Sequence, residues 1–535
     1  MDPPSLSRET LSSENVSLIA SWVTNCQKNH SFCQQAPSPL PLRIIDVQST
    51  VPVLIVTDGL KKAAYCALSY CWGLSEANAY DQQYMTTSKT IAMRMQGMPM
   101  EELPQTFRDA VSVTRTLGLR YLWIDSLCII QDCEADMLKE IHWMGSTFGN
   151  ATITISAINA SNASSGFLAR DPQPISFKHS YVGTPGKAHL NPPSPGGTWD
   201  KDVENTAWNQ RAWTFQERIL SHRVLHFAKN KVYFECRSGD TDEEGAPPRR
   251  SIYDPSFSGD STLLARTLGY FEHFKSHGPR QQDLVYKAYY ELAELYSKRK
   301  LSFNSDRARA FSAIVGNFGL LLGSGHCRGL WLNDMLHGLL WRCERNMGGD
   351  GSPASSSEIL PLRPGDLDSK WLSWSWYSAG EQVRWPKRPK IFLGVDENSP
   401  SPRKQIMKQY IRYQETSSES PVTLQVNAYL TLAYHEFIPY QNRGKISVKG
   451  EVSYYPEFDN EMRKKISGKV WILRLPSPTL RYHIYDHGLV LDEAISGSSF
   501  TRVGVFRINS LMPRSQDGSW VKIEAGEKLE WVSLT

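Results

Sequence analysis

The chain has no long apolar run and no excess of charge of either sign. Its most apolar stretch, residues 311–322, is interrupted by polar residues and glycines and is too short to cross a lipid bilayer. The 59 basic residues nearly balance the 55 acidic ones and leave a net charge of +4. A surface so balanced lacks the electrostatic field on which binding to nucleic acid or to an anionic membrane depends. We therefore expect no membrane span and no nucleic-acid partner.

The sequence also lacks the marks of secretion. Charged side chains are scattered among serines near the amino terminus, whereas a signal peptide has a basic start followed by an apolar centre. The nine cysteines are odd in number and irregular in spacing, which is typical of reduced thiols rather than of a disulfide framework. We therefore expect a cytoplasmic protein.

Complete cofactor and metal motifs are missing as well. There is no GxGxxG, no P-loop and no HExxH, so no cofactor is firmly implied. Cys26, His30 and Cys33 carry ligand types that suit zinc, but a structural zinc site takes four ligands. We favour the alternative of a small helix with buried thiols and assign no metal ligand, which leaves open whether these three residues bind a metal.

What the first half does contain is an alternation of strand and helix patterns. A short apolar and aromatic run at residues 64–70 predicts a strand, and apolar spacing predicts a helix that Thr106 caps and Gly118 ends. A buried strand follows at residues 119–124, then a second helix and a β-branched strand at residues 152–155. Strands that alternate with helices predict a doubly wound α/β domain with a mostly parallel sheet.

The chain of 535 residues is long enough for two or three hydrophobic cores. Residues 170–205 are rich in proline, glycine and serine and predict a long surface insertion, and residues 239–250 predict a solvated connector. Helical spacing follows, and alternating runs near the carboxyl terminus predict antiparallel strands. The predicted regions are an N-terminal extension at 1–45, the α/β domain at 46–240, a helical region at 241–350 and a β-rich region at 351–535.

Three blocks of the first half resemble the fungal heterokaryon-incompatibility (HET) domain. Residues 67–73 read Ala-Leu-Ser-Tyr-Cys-Trp-Gly, and residues 117–132 read Leu-Gly-Leu-Arg-Tyr-Leu-Trp-Ile-Asp-Ser-Leu-Cys-Ile-Ile-Gln-Asp. Residues 208–218 read Trp-Asn-Gln-Arg-Ala-Trp-Thr-Phe-Gln-Glu-Arg. The resemblance implies a filamentous fungus and a role in non-self recognition after hyphal fusion, where some members trigger growth arrest and cell death. It also implies protein partners and self-association.

HET domains are considered distantly similar to Toll/interleukin-receptor-like (TIR) domains, some of which cleave NAD at its nicotinamide glycosidic bond. The resemblance thus implies a TIR/flavodoxin-like sheet and a catalytic role for Glu217, which keeps the four-residue spacing from Trp213 found in those hydrolases. Thr214 stands where they carry cysteine. A carboxylate beside the sugar can stabilise the oxocarbenium character that develops as the bond breaks.

A structural role for Glu217 is the alternative. Its carboxylate would then pair with Arg211, Arg218 or Arg223, while Trp213 fills the core. Both interpretations stay open at this point.

Asp125 follows the predicted strand at residues 119–124, which places it at the edge where open α/β sheets bind ligands. We select it with Glu217 as a catalytic candidate. Arginine binds phosphate bidentately, although surface ion pairing is the common alternative, and the polar residues at strand ends could instead cap helices or loops. The candidate substrate-binding residues are Ser69, Tyr70, Trp72, Arg108, Ser126, Gln131, Arg211 and Trp213.

Three functions are compatible with these features. The first is an effector of non-self recognition and regulated cell death that acts through NAD glycohydrolysis. The second is a HET-scaffold enzyme recruited to fungal secondary-metabolite biosynthesis, since a fold does not determine a function. The third is a non-catalytic protein-interaction module, in which the candidate site residues are purely structural.

Overall fold

The computed structural model describes residues 9–73, 84–170, 197–245, 279–343, 375–379 and 382–386, together with eight strands between residues 411 and 534. Most of the insertion predicted at 170–205 and part of the connector predicted at 239–250 lie outside these residues. The chain divides into two compact units. The first is Met1–Glu272 with Arg299–Leu301 and Arg309–Ile314, and the second is His273–Lys298 with Ser302–Ala308 and Val315–Thr535.

The first unit alternates strands and helices, as the sequence predicts. Its strands are β1 (Arg43–Asp46), β2 (Val53–Val56), β3 (Tyr65–Ser69), β4 (Tyr121–Trp123), β5 (Ile153–Ser156), β6 (Arg223–Phe227), β7 (Val232–Cys236) and β8 (Gly239–Asp242). Its helices are α1 (Ser13–Asn29), α2 (Ile91–Gln96), α3 (Gln105–Thr116), α4 (Asp125–Cys128), α5 (Glu134–Asn150) and α6 (Ala212–Leu220).

These eight strands form one mixed sheet in the order β2-β1-β4-β3-β5-β6-β7-β8. The four central strands β4, β3, β5 and β6 are parallel, and an antiparallel pair flanks them on each side. The predicted α/β class is confirmed. The chain reverses its direction of travel across the sheet between β3 and β5, which is the point where doubly wound folds bind ligands.

The central strands are buried, which favours the apolar and aromatic residues that dominate β3 and β4. All residues of β3, β4 and β5 are buried, as expected for parallel strands covered on both faces. Right-handed crossovers place α3 on one face of the sheet and α5 and α6 on the other. In agreement, α5 and α6 contact each other closely, and a Cβ at Gly145 of α5 would lie 3.0 Å from the Leu220 side chain of α6.

The start of α3 corrects one local prediction. Thr106 does not cap the helix, because the helix begins at Gln105 behind Pro104, which has no side-chain capping bond. The Thr106 hydroxyl donates instead to the Asn162 carbonyl at 3.0 Å. The hydroxyl that the sequence pattern assigns to the helix cap therefore bonds the loop after β5 instead. The predicted stop is confirmed, since Gly118 has a φ of 70° just after the helix.

The second unit contains helices and antiparallel strands. Its helices are α7 (Pro279–Ser297), α8 (Ser312–Leu322), which starts in the first unit, and α9 (Met335–Gly338). Two small antiparallel sheets pair β9 (His326–Cys327) with β10 (Leu330–Trp331) and β11 (Arg342–Cys343) with β12 (Val383–Arg384). Tyr289 and Trp376 both hydrogen-bond the Gly329 carbonyl, at 2.7 and 3.1 Å, within an aromatic core.

The remaining strands form an eight-stranded sheet that is antiparallel except where β19 meets β20. They are β13 (Ile411–Gln414), β14 (Thr423–Ile438), β15 (Arg443–Val448), β16 (Val452–Phe458), β17 (Gly468–Arg474), β18 (His487–Glu493), β19 (Phe500–Arg507) and β20 (Glu530–Leu534). The antiparallel carboxyl-terminal region expected from sequence is thus present. In the described part of the chain, no helix combines the length and hydropathy needed to cross a membrane.

A buried charge network joins α6 to β7 in the first unit. The Arg218 guanidinium lies 2.8 Å from a carboxylate oxygen of Glu235 and 2.8 Å from one of Glu204, and it donates to Asn209 at 3.0 Å. Burial opposes ionisation of Glu235, but the charge of Arg218 and the hydrogen bond from His226 more than offset it and hold the pKa of Glu235 well below its ordinary value. The network therefore stays ionised inside the protein.

The network leads to a stability prediction for Arg218→Met. The substitution leaves the Glu235 carboxylate buried without its cation, and we expect the free energy of unfolding to fall by about 3–5 kcal/mol. Thermal and denaturant unfolding of the full chain would measure the change. Arg120→Met is the control, because Arg120 pairs with Asp46 at 2.6 Å with half of its side chain exposed, and such pairs contribute about 1 kcal/mol or less. Equal losses in the two variants would contradict the prediction.

Candidate functional site

Polar side chains converge where the central parallel strands end. Ser69 is the last residue of β3, and Asp125 starts α4 two residues after β4 ends. Because β3 and β4 are adjacent and parallel, both residues lie at the carboxyl edge of the sheet, beside the switch point. The sequence predicts both as site residues. Glu217 reaches the same edge from α6, because the Ser69 hydroxyl donates a hydrogen bond to its carboxylate.

Glu217 is the most perturbed acid of this edge. It is 7% exposed, and the Trp208 indole N–H donates to Ser69 Oγ at 2.8 Å, so indole, hydroxyl and carboxylate form a chain of hydrogen bonds. Burial raises the pKa of Glu217 to about 7, and the negative charge of Asp125 adds to the rise, while the Ser69 hydrogen bond and Arg211 oppose it. The carboxyl group is therefore poised to exchange a proton near neutral pH.

Asp125 is the second perturbed acid. Burial of its carboxyl group raises its pKa to about 6, against the opposing hydrogen bond from Trp72, whose indole N–H donates at 2.8 Å. The backbone N–H of Ser126 also donates to this carboxylate, at 2.7 Å. The Tyr70 hydroxyl in turn donates to Ser126 Oγ at 2.9 Å. These bonds tie the ends of β3 and β4 together and fix the position of the carboxylate.

Arg211 brings positive charge to both acids. It immediately precedes α6, and its guanidinium donates to the Tyr70 carbonyl at the end of β3. Its charge opposes the rise in the pKa of Glu217 and of Asp125. Burial raises the pKa of the Cys71 thiol, and the charge of Arg211 limits that rise. We name Ser69, Asp125, Arg211 and Glu217 the carboxyl-edge cluster. Asp125 and Arg211 are only half buried, so the cluster reaches the surface on their side.

The three arginines considered as ion-pair partners of Glu217 make other contacts. Arg218 pairs with two other carboxylates, as described above. Arg223 donates to the Cys33 carbonyl at 2.5 Å. Arg211 remains electrostatically coupled to Glu217, while its described hydrogen bond goes to the backbone. Glu217 therefore keeps the Ser69 hydroxyl as its described hydrogen-bond partner.

The other three predicted site residues, Gln131, Trp213 and Arg108, make their described contacts outside the side chains of the carboxyl-edge cluster. Gln131 donates to the Asp125 carbonyl at 3.2 Å and so supports the loop rather than presenting its amide to the cluster. Trp213 is half buried and packs against the apolar core of the sheet. Arg108 lies on α3 and donates to the side chain of Gln105 at 2.6 Å, without a described contact to the cluster.

Two further residues of the site were not predicted. Trp208 holds Ser69 in place, and Cys71 lies beside Arg211. Trp208 opens the third sequence block, and a buried tryptophan usually needs a partner for its indole N–H, so this signal was available. A different thiol, Cys128, is fully buried, and burial raises its pKa far above the ordinary value, which argues against a thiolate nucleophile there.

Comparison with known families places the cluster inside one matched domain. Residues 65–217 match the family model described as heterokaryon incompatibility protein (HET). The matched segment starts at the first residue of β3 and ends at Glu217, so it contains all four residues of the carboxyl-edge cluster. Searches of curated proteins and of solved structures gave no significant match.

The raised pKa of Glu217 predicts a dependence of stability on pH. The native state holds the proton more tightly than the unfolded chain, so ionisation costs native stability as pH rises from 4.5 to about 7. Because glutamine cannot ionise, we expect Glu217→Gln to be more stable than the wild type above this window, by up to about 3 kcal/mol, and the gain to vanish below it.

Thermal unfolding of both proteins at about pH 5 and about pH 8 would measure this difference. The exposed Glu134→Gln substitution is the control, since it removes an acid from the surface of α5. Parallel curves for Glu217→Gln and the wild type across the two conditions would show that the carboxyl group is not perturbed as described.

Proposed function

The chain carries a heterokaryon incompatibility (HET) domain, and from this premise we propose that it is an effector of non-self recognition that hydrolyses the nicotinamide glycosidic bond of NAD. The observation that carries the proposal is the Glu217 carboxyl group, buried at the switch-point edge with a pKa raised to about 7 and with Asp125 and Arg211 beside it. Perturbed acids grouped at a ligand-binding edge are typical of catalytic sites.

The proposed reaction uses the ionised form of Glu217. As the bond between ribose C1′ and the pyridinium nitrogen breaks, its electron pair passes to that nitrogen and nicotinamide leaves as a neutral molecule. The ribose acquires oxocarbenium character, which a nearby carboxylate stabilises. Water then adds to C1′, its proton is released, and the products are ADP-ribose and nicotinamide.

The other members of the cluster supply binding and orientation. Arg211 is a half-buried guanidinium that suits the pyrophosphate of a dinucleotide, because arginine binds phosphate bidentately. Asp125 is held by Trp72 and the backbone, and its carboxyl group can accept a hydrogen bond from a ribose hydroxyl. Ser69 is a positioning residue, because it acts on the substrate through Glu217.

The family match supports a proposal for the cellular role. We propose that NAD loss arrests growth or kills the cell after non-self recognition, that other proteins or self-association switch the activity, and that the protein acts in the cytosol of a fungus. In the described part of the chain no disulfide bond joins the cysteines, and reduced thiols are typical of a reducing compartment.

The activity predicts nicotinamide release from NAD by the purified full chain. We expect kcat/KM to rise with pH through about 7, because the ionised form of Glu217 is the active one. Glu217→Gln should reduce the rate about 100-fold or more, since glutamine cannot carry the negative charge. Chromatographic measurement of nicotinamide and ADP-ribose follows both products.

The control for this assay is Glu134→Gln, which lies on the exposed surface of α5 and should leave the rate unchanged. The assay is repeated at increasing protein concentration, because self-association belongs to the proposal. Absence of nicotinamide release at every concentration would refute the hydrolase function. Equal rates for Glu217→Gln and the wild type would assign the chemistry to another group.

The effector role predicts toxicity in a fungal host. Induced expression of the wild-type chain should lower cellular NAD and arrest growth, and Glu217→Gln at equal protein level should do neither. Growth arrest by both proteins would favour a non-catalytic interaction module. NAD hydrolysis without toxicity would favour an enzyme recruited to metabolism, the second function compatible with the scaffold.

A further inference from the structure

Four side chains of the types that bind metals meet at the amino edge of the first unit's parallel strands, opposite the carboxyl-edge cluster. The ligand atoms of Cys26, His30, Cys33 and Cys236 all lie within 4.8 Å of one another. Cys236 Sγ is 3.4 Å from His30 Nδ1. We propose that these residues, named here the thiol cluster, bind one structural zinc ion. Cys236, which lies more than two hundred residues away in sequence, completes the set of three that the sequence shows.

The geometry is close to that of a zinc site. Tetrahedral coordination with Zn–S distances of about 2.3 Å and Zn–N distances of about 2.0–2.1 Å separates the ligand atoms by about 3.5–3.8 Å. Ligand atoms within 4.8 Å of one another need to move by about 1 Å or less to reach it, which side-chain rotation supplies. Three thiolates with one imidazole are an established ligand set for structural zinc.

Local backbone structure holds the three nearby ligands in place. Cys26 lies in the last turn of α1, His30 follows the end of that helix, and Cys33 closes the 3-10 helix Ser31–Cys33. The His30 N–H donates to the Cys26 carbonyl at 3.2 Å, and the Cys33 N–H donates to the His30 carbonyl at 3.0 Å. The ligands are thus presented by a hydrogen-bonded turn rather than by a free loop, which lowers the entropy cost of binding.

The fourth ligand and the burial indicate a closed, structural site. Cys236 ends β7 and pairs with Arg223, the first residue of β6, so the thiol cluster lies at the amino edge of the parallel strands. Ser69 and Asp125 lie at the opposite edge. Cys26 and Cys33 are fully buried and Cys236 is 9% exposed. Four protein ligands leave no coordination position for water or substrate.

The surroundings suit a metal site with a net negative charge. Three thiolates around Zn²⁺ sum to one negative charge, and Arg223, whose guanidinium donates to the Cys33 carbonyl at 2.5 Å, provides a neighbouring positive charge. Ser238 Oγ lies 3.5 Å from Cys33 Sγ, within reach for a hydrogen bond to a ligating sulfur. Contacts of this kind orient metal ligands. A disulfide would instead leave a third buried thiol beside it.

The zinc ion would fasten the N-terminal helix to the sheet. Apart from the thiol cluster, α1 meets β7 through apolar contacts such as the stacked rings of Trp22 and Phe234, whose centroids are 6.0 Å apart. Coordination by residues of α1, the following turn and β7 adds a cross-link over a long stretch of chain, and such links are strongly stabilising. The metal would therefore support the domain without taking part in chemistry at the carboxyl edge.

The first test is metal analysis of the full-length wild type, purified with a thiol reductant and without a metal-affinity column. We expect about one zinc per chain by mass spectrometry of the metals. Exchange with Co²⁺ should give the visible bands of a tetrahedral ion and a thiolate-to-cobalt charge-transfer band of the intensity that three thiolates produce. Removal of zinc with a chelator should lower the thermal unfolding midpoint, and added zinc should restore it.

Variants locate the ion. Cys236→Ser and His30→Ala should each lose zinc, whereas His30→Cys should keep it by providing a fourth thiolate. Cys133→Ser is the matched control, because Cys133 is a half-buried free cysteine outside the thiol cluster. It should retain the metal and the unfolding midpoint of the wild type.

Several results would overturn the proposal. Wild-type protein that neither contains zinc nor binds Co²⁺ has no such site, and this conclusion does not require that any variant folds. A mass two hydrogens lower with two blocked cysteines identifies a disulfide, and an iron–sulfur absorption spectrum identifies a different metal centre. Full zinc occupancy in both Cys236→Ser and His30→Ala places the ion elsewhere.

Discussion

The ion pairs of Arg218 hold α6 against β7, and the position of the candidate site depends on them. The guanidinium is almost completely removed from water, where an uncompensated charge is very costly, so its two carboxylate partners must stay in place. Glu217 is the preceding residue on the same helix. Successive residues of a helix point in different directions, so fixing Arg218 toward β7 directs the Glu217 side chain toward the end of β3.

The same pairing explains how an acid next to an arginine in sequence can keep a raised pKa. Arg218 is paired with Glu204 and Glu235, and burial, Ser69, Arg211 and Asp125 are what set the pKa of Glu217. Burying a carboxyl group without a close cation costs native stability once the group ionises. The catalytic role that we propose for Glu217 would therefore come at a cost in native stability, a trade common at functional sites.

Local sequence patterns predicted the α/β core and the edge on which the polar residues lie. The strands expected at 64–70, 119–124 and 152–155 are β3, β4 and β5, because buried parallel strands need continuous apolar runs that are easy to recognise. The cap assigned to Thr106 was wrong, since its hydroxyl bonds a loop 56 residues later in the chain. The sequence indicates that a buried Trp208 needs a partner for its indole N–H, but it does not identify that partner as Ser69, because the two residues are 139 positions apart.

A contact between distant parts of the chain also explains why Cys26, His30 and Cys33 could not be assigned as a metal site from the sequence. A tetrahedral site needs a fourth donor, and the spacing of Cys26, His30 and Cys33 contains no information about which strand comes to meet them. The fold provides this information, because β7 runs antiparallel to β6 and returns Cys236 to the amino edge of the sheet. The topology thus gives the two edges different chemistry. Acids with raised pKa values gather where the parallel strands end, and thiols gather where β6 begins, so a metal at one edge can stabilise the sheet without altering the charges at the other.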